Sequence, residues 1–564
     1  MGLFSVFILA AFISNSPNSN DALSITADHD GEPKLIVGIT IDQMRADFLA
    51  RFDEHFTDGG FKRVVDGGFS CLDHHYGYSP TLTGPGHASI FTGTTPAVHG
   101  IIANDWYDRE LGETVYCASD PDARGVGVDG IDGLDGKPLV FDLAGKMSPK
   151  HLLSNTIGDE MKLAVLGDNA PKVVGISIKD RGAILPVGHS SDGAYWYYGK
   201  DKGHFISSTN YFRTLPQWVI DFNAKGHSEK LLDEGWEKIL PEDAYSECLP
   251  DNNPYEGAYN GEIRPTFPYN LQSLKIANGG YDILKGTPGG NSIIVDFALA
   301  AIEGEDLGKD ETCDLLALSF SATDYVGHRC GPHSQENLDM YVRLDRQLER
   351  FFNELDSKVG KGNWTVFITS DHGAAPVPSH AASMGMPTNY WSPGNLQDRI
   401  EVELDIRFGP RDWVQNISNN SIYLNPKALR AAPATPTTIQ RFVSALCAEE
   451  EGVLMAVAEI DLAAKSAIDP IVERLYHGHK QGSSGDILLV LNPGWMKYGR
   501  TGTTHGSPFV YDTHVPCIFY GAGIEHGSTF EQTLTRDIAP TISALLQIPY
   551  PNGCTGAPIH QALK

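Results

Sequence analysis

"KLIVGITID", Lys34 to Asp42, is the stretch on which the fold turns. Its apolar residues follow one another without the alternation of a half-exposed strand, which suits a strand covered on both faces. Four further runs share this character: "KVVGISI" (Lys172 to Ile178), "DLLALSF" (Asp314 to Phe320), "WTVFITS" (Trp364 to Ser370) and "DILLVL" (Asp486 to Leu491). Helical periodicity separates them. In "ENLDMYVRLDRQLERFFNEL", Leu338, Tyr341, Val342, Leu348, Phe351, Phe352 and Leu355 form a single apolar stripe. Strands alternating with helices imply an α/β fold, a mostly parallel central sheet with helices on both faces. Two stretches break the rhythm: about 188–288, rich in Trp, Tyr, Asn, Gly and Pro, and about 377–480, with prolines and few strand signals. Both are read as insertions that cap or wall a site in one domain spanning 30–564.

The chain has 564 residues, enough for one large domain with insertions. It carries 43 Lys and Arg against 71 Asp and Glu, a net charge of -28. Long-range electrostatics therefore repel polyanions, which argues against nucleic acid as a bound partner, and an anionic substrate needs a local cationic site. None of the eight cysteines forms a C-x-x-C pair, and their even number leaves room for up to four disulfides. The first 22 residues, with an apolar run from Leu3 to Ile13, fit a signal peptide, although Lys or Arg is missing from its start. The expectation is an exported protein, periplasmic or secreted, monomeric and without a membrane span.

Ligands of open parallel sheets bind beyond the carboxyl ends of the strands. Four of the runs deliver polar candidates there: Asp42; Asp371 and His372; Asp324 and, in D-Y-V-G-H, His328; and His505 in "GTTHGS" beyond "DILLVL". Singly, each has an ordinary explanation as a turn residue, a helix cap or a core histidine. Together, three aspartates and three histidines are good ligands for Zn²⁺, and six side chains suit two ions. His514 in "YDTHVP" and His380 rival His505.

"PTLTGPGHASIFTG", Pro80 to Gly93, places a threonine where a helix begins. Metal coordination makes an alkoxide accessible near neutral pH, and the free N–H groups and dipole of a helix start favour negative charge. Thr83 is the candidate nucleophile and Thr81 the runner-up; the plain alternative is that Thr83 only caps the helix.

The order Asp42, T-G-P-G-H, D-x-x-G-H-x-x-G-P (Asp324 to Pro332), S-D-H-G (Ser370 to Gly373) and T-T-H-G-S (Thr503 to Ser507) resembles the alkaline phosphatase superfamily. The similarity, from about Lys34 to Ile559, is to its nucleotide pyrophosphatase/phosphodiesterase-like branch, which includes bacterial phosphate-irrepressible alkaline phosphatases with a Thr nucleophile. The resemblance implies hydrolysis of small phosphate monoesters with two Zn²⁺ per chain. One ion would be held by Asp324, His328 and His505, the other by Asp42, Asp371 and His372 with Thr83. It further implies a covalent phosphothreonine that is then hydrolysed. Lys179 and Arg181 of "SIKDRG", read as alternating on an extended segment so that both point to one face, match the Lys-x-Arg that such monoesterases use around the phosphoryl group. Asn104, 21 residues after Thr83 (104 − 83), matches their asparagine. The Gly/Asp-rich "DARGVGVDGIDGLDG" after Asn104 departs from the pattern. Rival readings are a phosphodiesterase or nucleotide pyrophosphatase, a phosphonate hydrolase and, from another class, a non-catalytic phosphate-binding protein. A pH optimum above neutrality is expected.

Overall fold

The computed structural model describes residues 31–127, 143–167, 169–200 and 202–564. The signal-peptide reading of residues 1–22 and much of the Gly/Asp-rich stretch lie outside them. Ten strands make the central sheet. In chain order these are β1 (Leu35–Ile41), β2 (Phe69–Cys71), β3 (Gly125–Val126), β4 (Val173–Ser177), β5 (Gly193–Tyr198), β6 (His204–Ser208), β7 (Asp314–Phe320) and β8 (Trp364–Thr369). Four strands of an insertion, β9 (Val414–Ser418), β10 (Ser421–Leu424), β11 (Val453–Ala458) and β12 (Ile487–Leu491), precede β13 (Cys517–Gly521) and β14 (Gly527–Thr529). The spatial order is β14-β2-β13-β8-β1-β7-β4-β5-β6-β3. The five neighbours from β8 to β5 run parallel, and antiparallel pairing enters only on either side of them. The expected mostly parallel sheet is therefore present.

Alternate residues of β1 feed opposite cores. Leu35, Val37, Ile39 and Ile41 pack with helices Pro288–Gly304 and Gln335–Leu355, whose stripe residues Leu338, Tyr341, Phe351 and Phe352 are buried. Ile36 joins the other face with Ile90 and Phe91 of helix Thr83–Thr92 and Ile538 of helix Ile538–Leu545. Gly38 is required by this second packing: a Cβ there would stand 2.6 Å from the Phe367 ring and 2.8 Å from that of Phe91. The missing side chain brings the Thr83–Thr92 helix down onto the sheet.

Two expected boundaries change. β5 and β6 belong to the central sheet, so the 188–288 stretch is not insertion throughout. Their aromatic sequence reads as a loop, yet Tyr195, Trp196 and Tyr197 are buried, with the Trp196 indole donating to Ala144 O at 2.9 Å and the Tyr197 hydroxyl sharing a hydrogen bond with Ser228. In the other direction, "DILLVL" is not a central strand. Its β12 lies in a separate antiparallel sheet, β9-β10-β12-β11, beyond the boundary expected at 480. That sheet has its own core, including Trp413, Ile422, Ile439 and Ile487. A run covered on both faces looks the same in either sheet. All eight cysteines are free thiols.

Replacing Gly38 by Ala should destabilise the protein by about 1–3 kcal/mol through overpacking and lower activity by displacing Thr83. A urea midpoint and activity equal to those of the wild type would contradict this reading of the helix seat.

Candidate active site

Register brings the site together before any side chain acts. Ile41 pairs with Phe320 and Thr40 with Thr369, so β1, β7 and β8 end side by side and Asp42, Asp324 and Asp371 follow within a few residues of those ends. Helix Ala322–Cys330 starts directly after β7, placing Asp324 in its first turn and His328 four residues on, over the same face. His505 arrives from a loop after the insertion sheet, and the described contacts join it to the Asp324 cluster.

Two groups of ligand atoms form, each with its members within 4.8 Å of one another: Asp324, His328 and His505, and Asp42, Asp371 and His372. His328 Nε2 lies 3.1 Å and His505 Nε2 3.7 Å from Asp324 Oδ1. His372 Nε2 lies 3.4 Å from Asp42 Oδ1 and 3.5 Å from Asp371 Oδ2. The His372 and His505 rings stack at 3.4 Å, so the groups adjoin. Each imidazole is oriented by a backbone carbonyl: His328 Nδ1 donates to Thr503 O, His505 Nδ1 to Thr81 O and His372 Nδ1 to Gly373 O, at 2.7, 2.8 and 3.0 Å. Each carbonyl thereby fixes its ring with Nε2 facing the carboxylates, the orientation a metal ligand needs; burial opposes the charge of His328, but Asp324 outweighs it and raises its pKa.

The donor set fits divalent cations on a further observation. Asp42 Oδ1, Asp371 Oδ2 and His372 Nε2 are buried without a hydrogen-bond partner, an arrangement that costs free energy unless a cation satisfies it. Burial and the adjacent Asp42 push the Asp371 carboxyl far above the usual range. Burial also raises Asp42, as does Asp324, yet Lys179 and His372 help hold it below its ordinary value. Burial depresses His372 to about 4, and His505, which also feels His372 and His328, falls well below the histidine range. His514 pairs instead with Asp73 and His75, and His380 packs against Tyr255 and His333. Neither joins the two groups.

Lys179 stands between them. Its ammonium is 2.6 Å from Asp42 Oδ2 and 2.7 Å from Asp324 Oδ2. Burial opposes its charge, but the two carboxylates outweigh it and raise its pKa. The expected extended Lys-x-Arg segment is corrected: Lys179 is the N-cap of helix Asp180–Ile184 and Arg181 lies in its first turn. The helical turn still sends both cations into the site, Arg181 Nη2 reaching 3.5 Å from Thr83 Oγ1. Arg181 Nη1 donates to the Tyr116 hydroxyl at 3.1 Å, and that hydroxyl donates to Asp180.

Thr83 is the first residue of its helix and only 1% exposed. Leu82 holds the N-cap position without a side-chain cap, so the plain capping explanation of Thr83 does not apply. Thr81 donates instead to Ser507 O at 3.1 Å. The anticipated set of free amides is also corrected: Gly84 N–H donates to Asn104 Oδ1 at 2.7 Å, Pro85 has none, and Gly86 N–H returns to Leu82 O. Asn104 thus keeps its amide nitrogen as its donor. Gly86 allows the close approach of this helix to Asp371, whose carbonyl would lie 2.5 Å from an added Cβ.

Sequence reasoning missed three members. Gln43, in the left-handed region at φ 65, donates its side-chain amide to Asp324 at 2.7 Å and its backbone N–H to Asp371 at 3.1 Å. Its position directly after Asp42 was the available signal. His87, four residues after Thr83, donates to Thr83 O and accepts from Ser319, each at 2.9 Å. Tyr116 carries no recognisable sequence signal.

The family description "Type I phosphodiesterase / nucleotide pyrophosphatase" matches residues 36–514. The chain belongs to that family. Alkaline phosphatase PhoV of Synechococcus elongatus is 41% identical over 535 residues, covering 94% of this chain and 93% of its own. Alkaline phosphatase PafA of Elizabethkingia meningoseptica is 39% identical, covering 94% of each chain. A Myroides odoratus protein named calcium-transporting ATPase is also 39% identical, covering 94% of this chain and 95% of its own. The crystal structure of wild-type PafA matches with a TM-score of 0.88 and 39% identity, over 95% of this chain and 99% of that one. A solved PafA variant carries changes at a threonine, an asparagine, a lysine and an arginine. The resemblance drawn from the motifs and the alkaline phosphatase-like fold are thus borne out, and the chain is an enzyme of the alkaline phosphatase kind. Among the described residues, no helix is long and apolar enough to cross a membrane.

Tyr116→Phe removes the hydroxyl that links Arg181 to Asp180. Losing one such hydrogen bond, about 1 kcal/mol, should weaken inhibition by inorganic phosphate roughly fivefold with Arg181 still present; an unchanged inhibition constant would remove Tyr116 from the site.

Proposed function

We propose that this exported protein hydrolyses phosphate monoesters through a covalent phosphothreonine at Thr83, with two zinc ions held by Asp324, His328 and His505 and by Asp42, Asp371 and His372. The observation that carries the reading is the meeting of Thr83, Arg181 and Lys179 at the junction of two donor groups. When bound, the cations would supply Lewis acidity to the entering and leaving oxygens. Thr83 Oγ, giving up its proton, attacks phosphorus; the bond to the ester oxygen breaks, and the departing alkoxide takes a proton from solvent and leaves as the alcohol. Water then attacks the phosphothreonine, breaking its P–Oγ bond and returning Thr83 with inorganic phosphate.

Preference for monoesters rests on donors. A monoester dianion has non-bridging oxygens that need partners, and the Arg181 fork, the Asn104 amide and the Lys179 charge converge there. The changes in the solved PafA variant support their roles here, because its threonine and asparagine are spaced as Thr83 and Asn104 are, and its lysine and arginine as Lys179 and Arg181. The ion-pumping name of the Myroides relative finds no supporting feature among the described residues.

A paired assay on p-nitrophenyl phosphate and bis-p-nitrophenyl phosphate decides between monoester and diester. Wild type should strongly prefer the monoester, and Lys179→Ala/Arg181→Ala should lower monoester kcat/KM by roughly 10²- to 10³-fold, as removal of groups stabilising transition-state charge does. Diester preference, unaffected by the double substitution, would replace this substrate assignment with a phosphodiesterase. Chelation should abolish turnover and two zinc ions per chain should restore it; stoichiometric phosphate binding without turnover in the zinc-loaded protein would instead favour a binding protein.

A further inference from the structure

The helix that carries Asp324 and His328 ends in a further cluster of buried ligand atoms, outside the two donor groups of the site. Cys330, the last residue of that helix, is 1% exposed. Beside it stand Glu256, from the 188–288 stretch, and Glu336, in the first turn of helix Gln335–Leu355, which are 4% and 0% exposed. Each of the three offers a ligand atom within 4.8 Å of those of the other two.

Both carboxylates are held by one oxygen and bare at the other. Asn253 Nδ2 donates to Glu256 Oε1 and the Tyr269 hydroxyl to Glu336 Oε1, each at 2.5 Å. Glu256 Oε2 and Glu336 Oε2 are buried without a hydrogen-bond partner. Burial, reinforced by the charge of Glu336, pushes the Glu256 carboxyl up to about 10, and burial raises Glu336 as well. Two such oxygens side by side cost free energy unless a proton or a cation lies between them. A shared proton leaves the Cys330 sulfur idle, whereas a divalent cation uses all three donors. Charge favours the cation too. The Arg329 guanidinium interacts with Cys330 and Glu336 and supplies one positive charge; a divalent ion supplies the two more that two carboxylates and a thiolate require. One sulfur with carboxylate oxygens suits Zn²⁺.

We propose that Glu256, Cys330 and Glu336 bind a third divalent cation, of the zinc class, as a structural ion. On binding, the Cys330 thiol gives its proton to solvent, and the sulfur joins the two free carboxylate oxygens as a ligand. The ion takes no part in phosphoryl transfer. It fastens the 253–257 segment to the helix that bears Asp324 and His328, a junction where Gly257 N–H already donates to Arg329 O at 2.9 Å. The same segment meets the chain leading to His505: Gly502 N–H donates to Tyr255 O at 2.7 Å, and the next residue, Thr503, donates its N–H to His328 O at 3.0 Å. The ion thus stiffens the backing of both histidines from outside the catalytic groups.

The test uses full-length protein produced in medium supplied with Zn²⁺ or with Co²⁺ and then dialysed. Elemental analysis of the zinc form should give three ions per chain in wild type and two in Cys330→Ala and in Glu256→Gln, each variant also unfolding at a lower temperature. The cobalt form of wild type should show thiolate-to-cobalt charge-transfer absorption in the near ultraviolet, and Cys330→Ala should lack it. The two catalytic donor groups contain no sulfur and cannot produce that band. Cys330→Ser, closer in size to the native residue, replaces the alanine variant if that one fails to fold. Two zinc ions in wild type with no charge-transfer band would overturn the site in favour of a proton shared between Glu256 and Glu336, and would leave the phosphomonoesterase reading intact. A band that survives in both Cys330 variants would place the ion on another cysteine and overturn the site as well.

Discussion

Three carboxylates shut away from water in one cavity are the constraint around which the site is arranged. Asp42, Asp371 and Asp324 are all buried, and isolated buried charges of one sign are too costly to persist. Lys179 answers part of the problem, bonded at once to Asp42 and Asp324. It leaves Asp371 Oδ2 and Asp42 Oδ1 without partners. Those bare atoms, with the His372 nitrogen that faces them, are where additional positive charge belongs. Lys179 thereby joins the two donor groups through one ammonium, while Arg181 is the cation that reaches Thr83, its Nη2 3.5 Å from Oγ1.

The fold supplies this arrangement through backbone register and a few close approaches. Parallel pairing ends β1, β7 and β8 together, and turns or helix starts follow at once, so little chain separates rigid sheet from ligand. Glycines set the spacing at Gly38, beneath the Thr83–Thr92 helix, and at Gly86, against Asp371. The Gln43 backbone adopts a left-handed conformation that a non-glycine residue takes only when neighbours enforce it. Its two hydrogen bonds, to Asp324 and Asp371, are such an enforcement, and they tie one donor group to the other.

Much of this was legible because strand ends announce themselves. Uninterrupted apolar runs closed by Asp or by Asp-His located Asp42, Asp324, Asp371 and His372 without any knowledge of pairing. His505 was found for a partly mistaken reason, since "DILLVL" belongs to the insertion sheet and the loop after it returns to the centre. β5 and β6 were illegible because strands of Tyr, Trp and Ser read as loop until their polar tips find partners. Lys179 and Arg181 stand on a helix start and not on the expected extended segment; a helix start and a strand can both bring residues i and i+2 to one cavity. Tyr116 and Gln43 act through long-range contacts of 65 and 281 residues in sequence separation, which no local pattern encodes.

The most direct test of the central claim is peptide mass analysis after acid quenching of the zinc-loaded enzyme during turnover of a phosphate monoester. The account predicts one phosphoryl group, on the peptide containing Thr83, absent from Thr83→Ala. Steady turnover with no covalent phosphoryl group, or with one on any other residue, would contradict it.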